Sequence, residues 1–190
     1  MADYLQGCKG VPAVFDEMEL GVFEGRVANA PSAVARFRHE LTTLKLKRYL
    51  EKLLPAFGAC TVASEDEARH LSKRVPGYRN VVVVPNGISL ADCHGDWGGP
   101  RRDELVFAGS FTYDVNHHAM QWFTGAVLPL IHEQRPQVRL RITGNHAGLP
   151  LPYMQNVELA GMLPDVRPAI AGAWTSVAPL LTGGGTRLKI

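Results

Sequence analysis

The chain has 190 residues, of which 46% are hydrophobic and 20% are charged, and its formal net charge at pH 7 is +2. These values describe an ordinary soluble globular protein, and the small net charge, without a dense basic block, argues against nucleic acid as the main partner. The three cysteines have no metal-like spacing and indicate reduced cytosolic thiols rather than a disulfide framework. The N-terminus lacks a signal-peptide pattern, and no apolar stretch approaches the roughly 20 residues that span a bilayer, so we expect a cytoplasmic protein.

The first part of the sequence predicts strands that alternate with helices. Three short apolar runs are typical of strands, and the first is interpreted as a buried strand: Val11–Asp16, Ala59–Ala63 and Asn80–Val84. The third is β-branched without polar alternation, as in an interior strand of a parallel sheet, and Pro85-Asn86-Gly87 ends it. Ser64 is predicted to cap a helix over residues 65–75, with Glu67 as its capping-box partner. A longer helix over residues 33–54 is predicted because apolar residues repeat at helical spacing: Val34, Phe37, Leu41, Leu44, Leu50 and Leu53.

The second part of the sequence predicts a further unit of the same kind. Residues 89–103 lack periodicity and are interpreted as a linker before a strand at Glu104–Ala108. A helix over residues 116–134, kinked at Pro129, is expected to turn these side chains inward: Met120, Trp122, Phe123, Val127, Leu128, Leu130 and Ile131. The remaining predicted elements are strands at 137–143, 156–160 and 175–178 and a short helix at 164–173.

Glycines follow the predicted strands of this second unit. The order strand–helix–strand predicts a parallel sheet with helices on both faces, and ligands of such sheets bind at the carboxyl ends of the strands. Four glycine-marked segments fall at those ends: Gly109-Ser110, Gly144-Asn145, Gly161-Met162 and Gly183 to Gly185. A tight turn explains any one of them, but the set predicts a nucleotide-sized ligand.

The last nine residues carry the most specific pattern. Three successive glycines, Gly183, Gly184 and Gly185, allow backbone N–H groups to approach an anion closely. Thr186 can begin a helix whose N-terminal dipole favours phosphate. Arg187 and Lys189 add positive charge to the predicted phosphate site. A flexible glycine loop is the alternative interpretation.

Several segments together resemble the bacterial GT-B glycosyltransferases of the large retaining family four, the "group one" glycosyltransferases. In the second part they are Leu105–Asn116, Trp122-Phe123, Val127–Ile131, Arg141–Gly144, Glu158–Arg167, Val177–Leu180 and Gly183–Ile190. In the first part, Val84–Ile88 resembles the crossing between the two domains of that family, and Thr61–Glu65 resembles the strand and helix start before it. The resemblance covers most of residues 58–190, whereas residues 1–57 match only weakly.

The resemblance implies an α/β fold with two Rossmann-like parallel-sheet units of the GT-B type, both incomplete in this chain. Residues 1–85 would be the latter part of the N-terminal acceptor-side domain, and residues 86–190 the first part of the C-terminal domain that binds a nucleotide-diphosphate sugar. Gly109, Ser110 and residues 183–189 would face the diphosphate. Gly144, Asn145, Gly161 and Met162 would lie near the base and the ribose. No cofactor is expected, and a metal is not expected because helix N-terminal amides with Arg187 and Lys189 can stabilise the departing diphosphate.

The implied function is transfer of a sugar, with retention of configuration, in bacterial polysaccharide or glycolipid synthesis. Three departures from the family pattern predict that this chain alone is an inactive fragment. Gly184 stands where many relatives have the first of two glutamates, the second would fall beyond Ile190, and Ser110 stands in an arginine-like position. One alternative is a non-catalytic nucleotide-sugar-binding or interaction module. Another is a different sugar-nucleotide enzyme such as an epimerase, which would need acid/base residues that the sequence does not identify.

Other features have weaker functional interpretations. Helix 33–54 carries six basic residues, which suit peripheral contact with anionic lipid at the inner membrane face or simply a solvated helix face: Arg36, Arg38, Lys45, Lys47, Arg48 and Lys52. His117-His118 lacks a third metal ligand nearby. Residues 16–19 form either an acceptor contact or an acidic turn. Asp114 and Asp165 are interpreted as turn or cap residues. Exposed strand edges predict poor solubility of the isolated chain.

Overall fold

The computed structural model describes residues 11–16, 20–28 and 30–182. The chain divides into two compact units, one extending to Gly87 and the other comprising Ile88–Leu181. Each unit contains its own sheet, and every strand pair in both sheets is parallel. Within the described part of the chain, no helix combines the length and the apolar character needed to cross a membrane.

In the described part of the first unit, three α-helices and a short 3-10 helix, Leu54–Ala56, pack with a three-stranded sheet of order β1-β2-β3. The strands are β1 (Val14–Asp16), β2 (Ala59–Val62) and β3 (Val81–Val83), and the helices are α1 (Gly21–Ala28), α2 (Ala33–Leu53) and α3 (Glu65–Arg74). Its buried core consists of Leu20, Leu50, Leu54, Cys60, Val62, Leu71 and Val75. The predicted helices 33–54 and 65–75 and the strand at 59–63 are therefore confirmed to within a residue at each end.

Two strand predictions in this unit are wrong about burial. β3 was expected in the sheet interior, yet within the described residues it has β2 as its one neighbour, and Val82 is exposed. β1 was expected to be buried, but β2 is its one neighbouring strand in the described part of the chain, and Val14 is exposed. Fewer side chains of an edge strand than of an interior strand are covered by neighbours. An apolar run therefore predicts a strand, but it does not predict whether the strand lies at the edge or in the interior of the sheet.

Glu67 differs from its predicted role. The Ser64 hydroxyl oxygen accepts the Glu67 backbone N–H at 3.2 Å, so the predicted N-cap of α3 is confirmed. The buried Glu67 carboxylate does not complete a capping box; it accepts the backbone N–H groups of Leu20 at 2.7 Å and Gly21 at 3.3 Å. It thereby satisfies donors at the start of α1 that have no intrahelical acceptor, and Arg74 holds the same turn by donating to the Leu20 carbonyl at 2.8 Å.

The second unit contains a four-stranded sheet of order β6-β5-β4-β7. The strands are β4 (Arg101–Ala108), β5 (Arg139–Thr143), β6 (Val157–Gly161) and β7 (Ala173–Ser176), and the helices are α4 (Asp114–Trp122), α5 (Leu128–Gln134) and α6 (Arg167–Ala171). The buried core lies where α4 and α5 cover the sheet: Phe107, Phe111, Met120, Phe123, Leu128, Val138, Leu140 and Ile142. β4 begins three residues before its predicted start.

A π-helical segment, Phe123–Val127, joins α4 to α5. The Leu128 N–H donates to the Phe123 carbonyl, five residues earlier, and this widened turn comes directly before Pro129, whose nitrogen cannot donate. Inward placement of Met120, Phe123 and Leu128 is confirmed.

Two other side chains of this helix were expected to face inward and are exposed. Trp122 lies about 100° around the helix from Phe123, and Leu130 lies roughly 200° from Leu128. Burying Phe123 and Leu128 therefore turns Trp122 and Leu130 towards solvent.

Candidate functional site

The order of the strands changes direction beside β4. From β4 the chain builds β5 and β6 outward on one side, and β7 then returns to the other side of β4. Ligands of open parallel sheets bind in the crevice outside the carboxyl ends at such a reversal. Val106 is in register with Arg141 and with Ser176, so the carboxyl ends of β4, β5 and β7 lie at one edge of the sheet.

Three of the four predicted glycine segments come together at this edge. The Gly109 N–H donates to the Thr143 carbonyl at 3.2 Å, and the Gly144 N–H donates to the Gly161 carbonyl at 2.7 Å. The Phe111 N–H donates to the Asn145 carbonyl at 2.8 Å. The loops after β4 and β5 thus continue the hydrogen bonding beyond the strands, as far as the last residue of β6, and form one surface. We call this surface the glycine cluster, and it comprises Gly109, Ser110, Gly144, Asn145 and Gly161.

Gly144 occupies a position that no other residue fits without strain. Its φ is +101°, a region that L side chains avoid. A Cβ at this position would lie 2.7 Å from the carbonyl carbon of Gly109 and 2.7 Å from the Ser110 nitrogen. Gly161 also has a positive φ, +74°, but a Cβ there would meet no heavy atom within 4 Å.

The polar side chains of the glycine cluster are engaged within the loops. The Ser110 hydroxyl donates to the Asn145 carbonyl at 3.0 Å and lies 2.8 Å from the Thr112 hydroxyl. Asn145 accepts the Ala147 N–H at 2.9 Å. Met162, the last member predicted near this edge, is largely exposed. Because serine has no charge, position 110 presents a hydroxyl group and backbone groups to a ligand rather than a basic side chain.

Asn116 is a residue of this site to which the sequence alone gave no role. Its side chain is buried on α4, and its Nδ2 donates to the Ser110 carbonyl at 2.8 Å. A Cβ on Gly109 would lie 2.9 Å from the same nitrogen. Its Oδ1 meets no hydrogen-bond donor among the described residues. The signal that could have identified Asn116 is its position on the inward face of a predicted helix. An amide buried there normally has a specific hydrogen-bond partner.

Two histidine rings lie beside the ring of Phe111, which belongs to the loop after β4. The His117 and His146 rings lie 5.1 Å and 5.4 Å from the buried Phe111 ring, measured between centroids. The His117 Nε2 is 2.9 Å from the Pro150 carbonyl, and the rings of His117 and His118 are 6.3 Å apart. Among the described residues, no group of three or more His, Cys, Asp or Glu side chains is placed to hold a metal ion.

The fourth predicted segment falls outside the described residues. It comprises Gly183, Gly184, Gly185, Thr186, Arg187 and Lys189. The chain leaves β7 beside β4, where the Val177 N–H donates to the Val106 carbonyl at 2.8 Å, and its described part ends at Thr182. Of the acidic run 16–19, Glu17 to Glu19 likewise lie outside.

Asp165 has the turn role predicted for it. Its carboxylate accepts the Arg167 backbone N–H at 2.9 Å and pairs with the Arg167 guanidinium. These hydrogen bonds lower the pKa of the Asp165 carboxyl below its ordinary value. The same guanidinium lies 5.2 Å from the Trp97 ring centroid, within range of a cation–π contact.

Comparisons with known proteins agree with the motifs. The family described as "Glycosyl transferases group 1" matches residues 102–190. Among solved structures, the crystal structure of TarM superposes with a TM-score of 0.58 at 11% sequence identity, covering 98% of this chain and 40% of that chain. No curated protein matches the sequence. This chain therefore spans less than half of the TarM structure, and at that identity the likeness establishes the fold alone.

The fold class expected from the sequence, two Rossmann-like parallel-sheet units of the GT-B type, is confirmed by the two parallel sheets and the TarM superposition. The family match begins at Arg102 in β4 and includes the whole glycine cluster. Residues 102–190 of this chain therefore match the sequence pattern of the group 1 glycosyltransferases.

Proposed function

We propose that the chain is part of a retaining glycosyltransferase that moves a sugar from a nucleotide-diphosphate sugar to an acceptor. The proposed setting is bacterial polysaccharide or glycolipid synthesis in the cytoplasm, at the inner face of the membrane, with a sugar or lipid-linked acceptor. The observation that carries the proposal is the family match over residues 102–190, because its residues include the loops gathered at the carboxyl ends of β4 and β5.

The donor is assigned to residues 86–190 and the acceptor to residues 1–85. Gly109 and Ser110, with the segment Gly183–Lys189, would hold the diphosphate, and the remaining residues of the cluster with Met162 would contact the base and ribose. Backbone N–H groups exposed by glycines can donate to phosphate oxygens. Arg187 would bind phosphate through two parallel hydrogen bonds, and Lys189 would act as a point charge.

Bond cleavage in the donor leaves negative charge on the nucleotide diphosphate. Preorganised N–H groups and cations stabilise that charge without a metal, which is why the proposal includes no cofactor.

The experiment is a calorimetric titration of the 190-residue chain with UDP, GDP and ADP in turn, for the native chain and for Arg187→Ala. Charged hydrogen bonds contribute about 1.5–3 kcal/mol, so we expect the variant to bind the preferred nucleotide roughly ten- to hundredfold more weakly. Arg102→Ala is the matched control, because Arg102 is an exposed arginine near the amino end of β4, away from Gly109. Equal loss in both variants, or no binding of any of the three nucleotides, would reject the assignment.

A second candidate is a non-catalytic module that binds a nucleotide sugar. The observation in its favour is Ser110, whose hydroxyl is bonded to the Asn145 carbonyl where relatives place a basic side chain, together with Gly184 in place of a glutamate. Donor binding without hydrolysis or transfer by the purified chain would favour this candidate. Turnover of the donor would favour the enzyme.

A further inference from the structure

A cavity of about 540 Å³ lies between the three α-helices of the first unit. Helix α1 contributes Val27 to its wall, and α2 contributes Glu40, Leu44 and Lys47, which form one stripe along the helix because they are four and three residues apart. Most of the surface exposed inside the cavity is apolar. Its volume lies within the range of about 300–1,000 Å³ that is usual for small-molecule pockets. We call it the three-helix cavity.

Arg74 of α3 contributes a buried positive charge to the wall of the three-helix cavity. Its side chain is 7% exposed, and its Nη1 donates to the Leu20 carbonyl at 2.8 Å. Its Nη2 lies 3.5 Å from Glu24 Oε1 and makes no hydrogen bond among the described residues. The other oxygen of the Glu24 carboxylate lies 2.9 Å from His70 Nδ1, so Glu24 is shared between two basic side chains. A buried guanidinium whose N–H groups are incompletely satisfied favours an anion nearby.

The remaining charges of the wall leave a positive excess. Glu40 is neutralised by Arg36 at 3.2 Å, and both line the cavity. Lys47 lies 3.8 Å from Glu51, which is not part of the wall. Lys73 of α3 also lines the cavity, and within the described part of the chain it has no ion-pair partner. One cation of the wall is therefore left without an acidic side chain, which fits a ligand with a single negative charge.

The three-helix cavity lies away from the carboxyl ends of the strands in this unit. Helix α3 begins after Ser64, close to the carboxyl end of β2, whereas Lys73 and Arg74 belong to its last turn. At 1.5 Å per residue, Lys73 is about 14 Å along the helix from Ser64. Ligands of open parallel sheets bind outside the carboxyl ends, so this cavity is a separate site from one at that edge.

We propose that the three-helix cavity binds a small molecule that has an apolar body and one carboxylate group. The apolar body packs against Val27 and Leu44, and the carboxylate is attracted by Lys47 and Lys73, which act as point charges. Apolar walls with a few charged groups are typical of small-molecule sites. A dianion fits less well, because its second negative charge would meet Glu40 and Glu24 without a free cation. This role is separate from sugar transfer and does not depend on the donor site.

The test is a calorimetric titration of the 190-residue chain with 4-phenylbutyrate, which has an aromatic body and one carboxylate. Two matched probes are 4-phenylbutanamide, which keeps the body without the charge, and acetate, which keeps the charge without the body. We expect 4-phenylbutyrate to bind with a Kd below about 1 mM, and each matched probe to bind at least about fivefold more weakly. Lys47→Gln with Lys73→Gln should weaken 4-phenylbutyrate about tenfold, because each exposed ion pair contributes up to about fivefold. Leu44→Ser should weaken it about fivefold.

Each variant has a matched control on α2 outside the cavity. Leu41→Ser removes a leucine that is 41% exposed, against 43% for Leu44, and Lys45→Gln with Lys52→Gln removes two exposed lysines. None of these three side chains lines the cavity, so we expect both controls to change the affinity for 4-phenylbutyrate less than about twofold. All the substituted side chains are at least partly exposed, and unchanged circular dichroism spectra should show that the variants keep the native fold.

A 1H–15N NMR titration locates the bound probe. Binding in the three-helix cavity predicts that 4-phenylbutyrate shifts the amide resonances of Val27, Leu44 and Lys73, one from each helix. The proposal is overturned by absence of binding up to about 10 mM, by equal binding of 4-phenylbutanamide, by equal effects of variants and controls, or by shifts confined to the second unit. No nucleotide or sugar is present in these titrations, so none of their outcomes bears on the proposed transfer reaction.

Discussion

Replacing Gly144 by alanine tests the packing that assembles the glycine cluster. Alanine at φ +101° incurs about 1–2 kcal/mol for a left-handed backbone conformation. The new methyl would stand 2.7 Å from two backbone atoms of the loop after β4, and such overlap in a packed region costs a further 1–3 kcal/mol, roughly. Alanine also restricts the unfolded chain and so offsets about 0.4–1 kcal/mol. We expect Gly144→Ala to lower the free energy of unfolding of the second unit by about 3 kcal/mol.

Gly148→Ala is the matched control for this substitution. Gly148 also has a positive φ, +67°, but a Cβ there would meet nothing within 4 Å. The difference between the two variants therefore isolates the overlap with Gly109 and Ser110. Urea unfolding followed by tryptophan fluorescence measures it, because all three tryptophans, Trp97, Trp122 and Trp174, lie in the second unit. Equal destabilisation by Gly144→Ala and Gly148→Ala would refute the close approach of the two loops.

Three further predictions concern single polar groups. Glu67→Ala should destabilise the first unit by about 2–3 kcal/mol in urea unfolding followed by circular dichroism, because it leaves buried N–H donors without an acceptor, whereas Glu65→Ala, an exposed change in the same turn, should have little effect. Asn116→Ala should weaken nucleotide binding in calorimetry without unfolding the chain, because the loop after β4 loses the side chain that holds it; unchanged affinity would count against that role. The pKa of Asp165, measured by NMR titration, should lie below its ordinary value and rise in Arg167→Ala. Because this pKa is lower in the folded than in the unfolded chain, the Asp165 carboxylate stabilises the fold at pH values above its unfolded pKa. That stabilisation is lost as the pH falls through the folded pKa.

The sequence predicts most elements of the fold because their signals are local. Ser64 caps α3 where expected, and the strand at 59–63 and the helix after β4 follow from apolar runs and helical spacing. The glycines after β4, β5 and β6 predict a common edge because parallel strands align their carboxyl ends.

The features that the sequence does not predict are those that depend on tertiary contacts between elements. β3 has the composition of an interior strand, yet it has one neighbouring strand in the described chain. The role of Asn116 in the site could not be predicted, because it depends on a tertiary contact: the loop after β4 folds back onto α4, where the Asn116 side chain donates to the Ser110 carbonyl. Four exposed apolar residues of α2, Val34, Phe37, Leu41 and Leu44, have the spacing of a core-facing stripe. The structure shows that Leu50 and Leu53 are buried instead.

The most direct test of the central claim is a 1H–15N NMR titration of the chain with UDP, GDP and ADP in turn. Binding at the glycine cluster predicts that at least one nucleotide shifts the amide resonances of Gly109, Gly144 and Gly161 together, because their loops form one hydrogen-bonded surface. Resonances of α2 should stay unchanged. Shifts confined to other parts of the second unit, such as the Arg141–Glu158 pair on β5 and β6, or no shift with any nucleotide, would contradict the account.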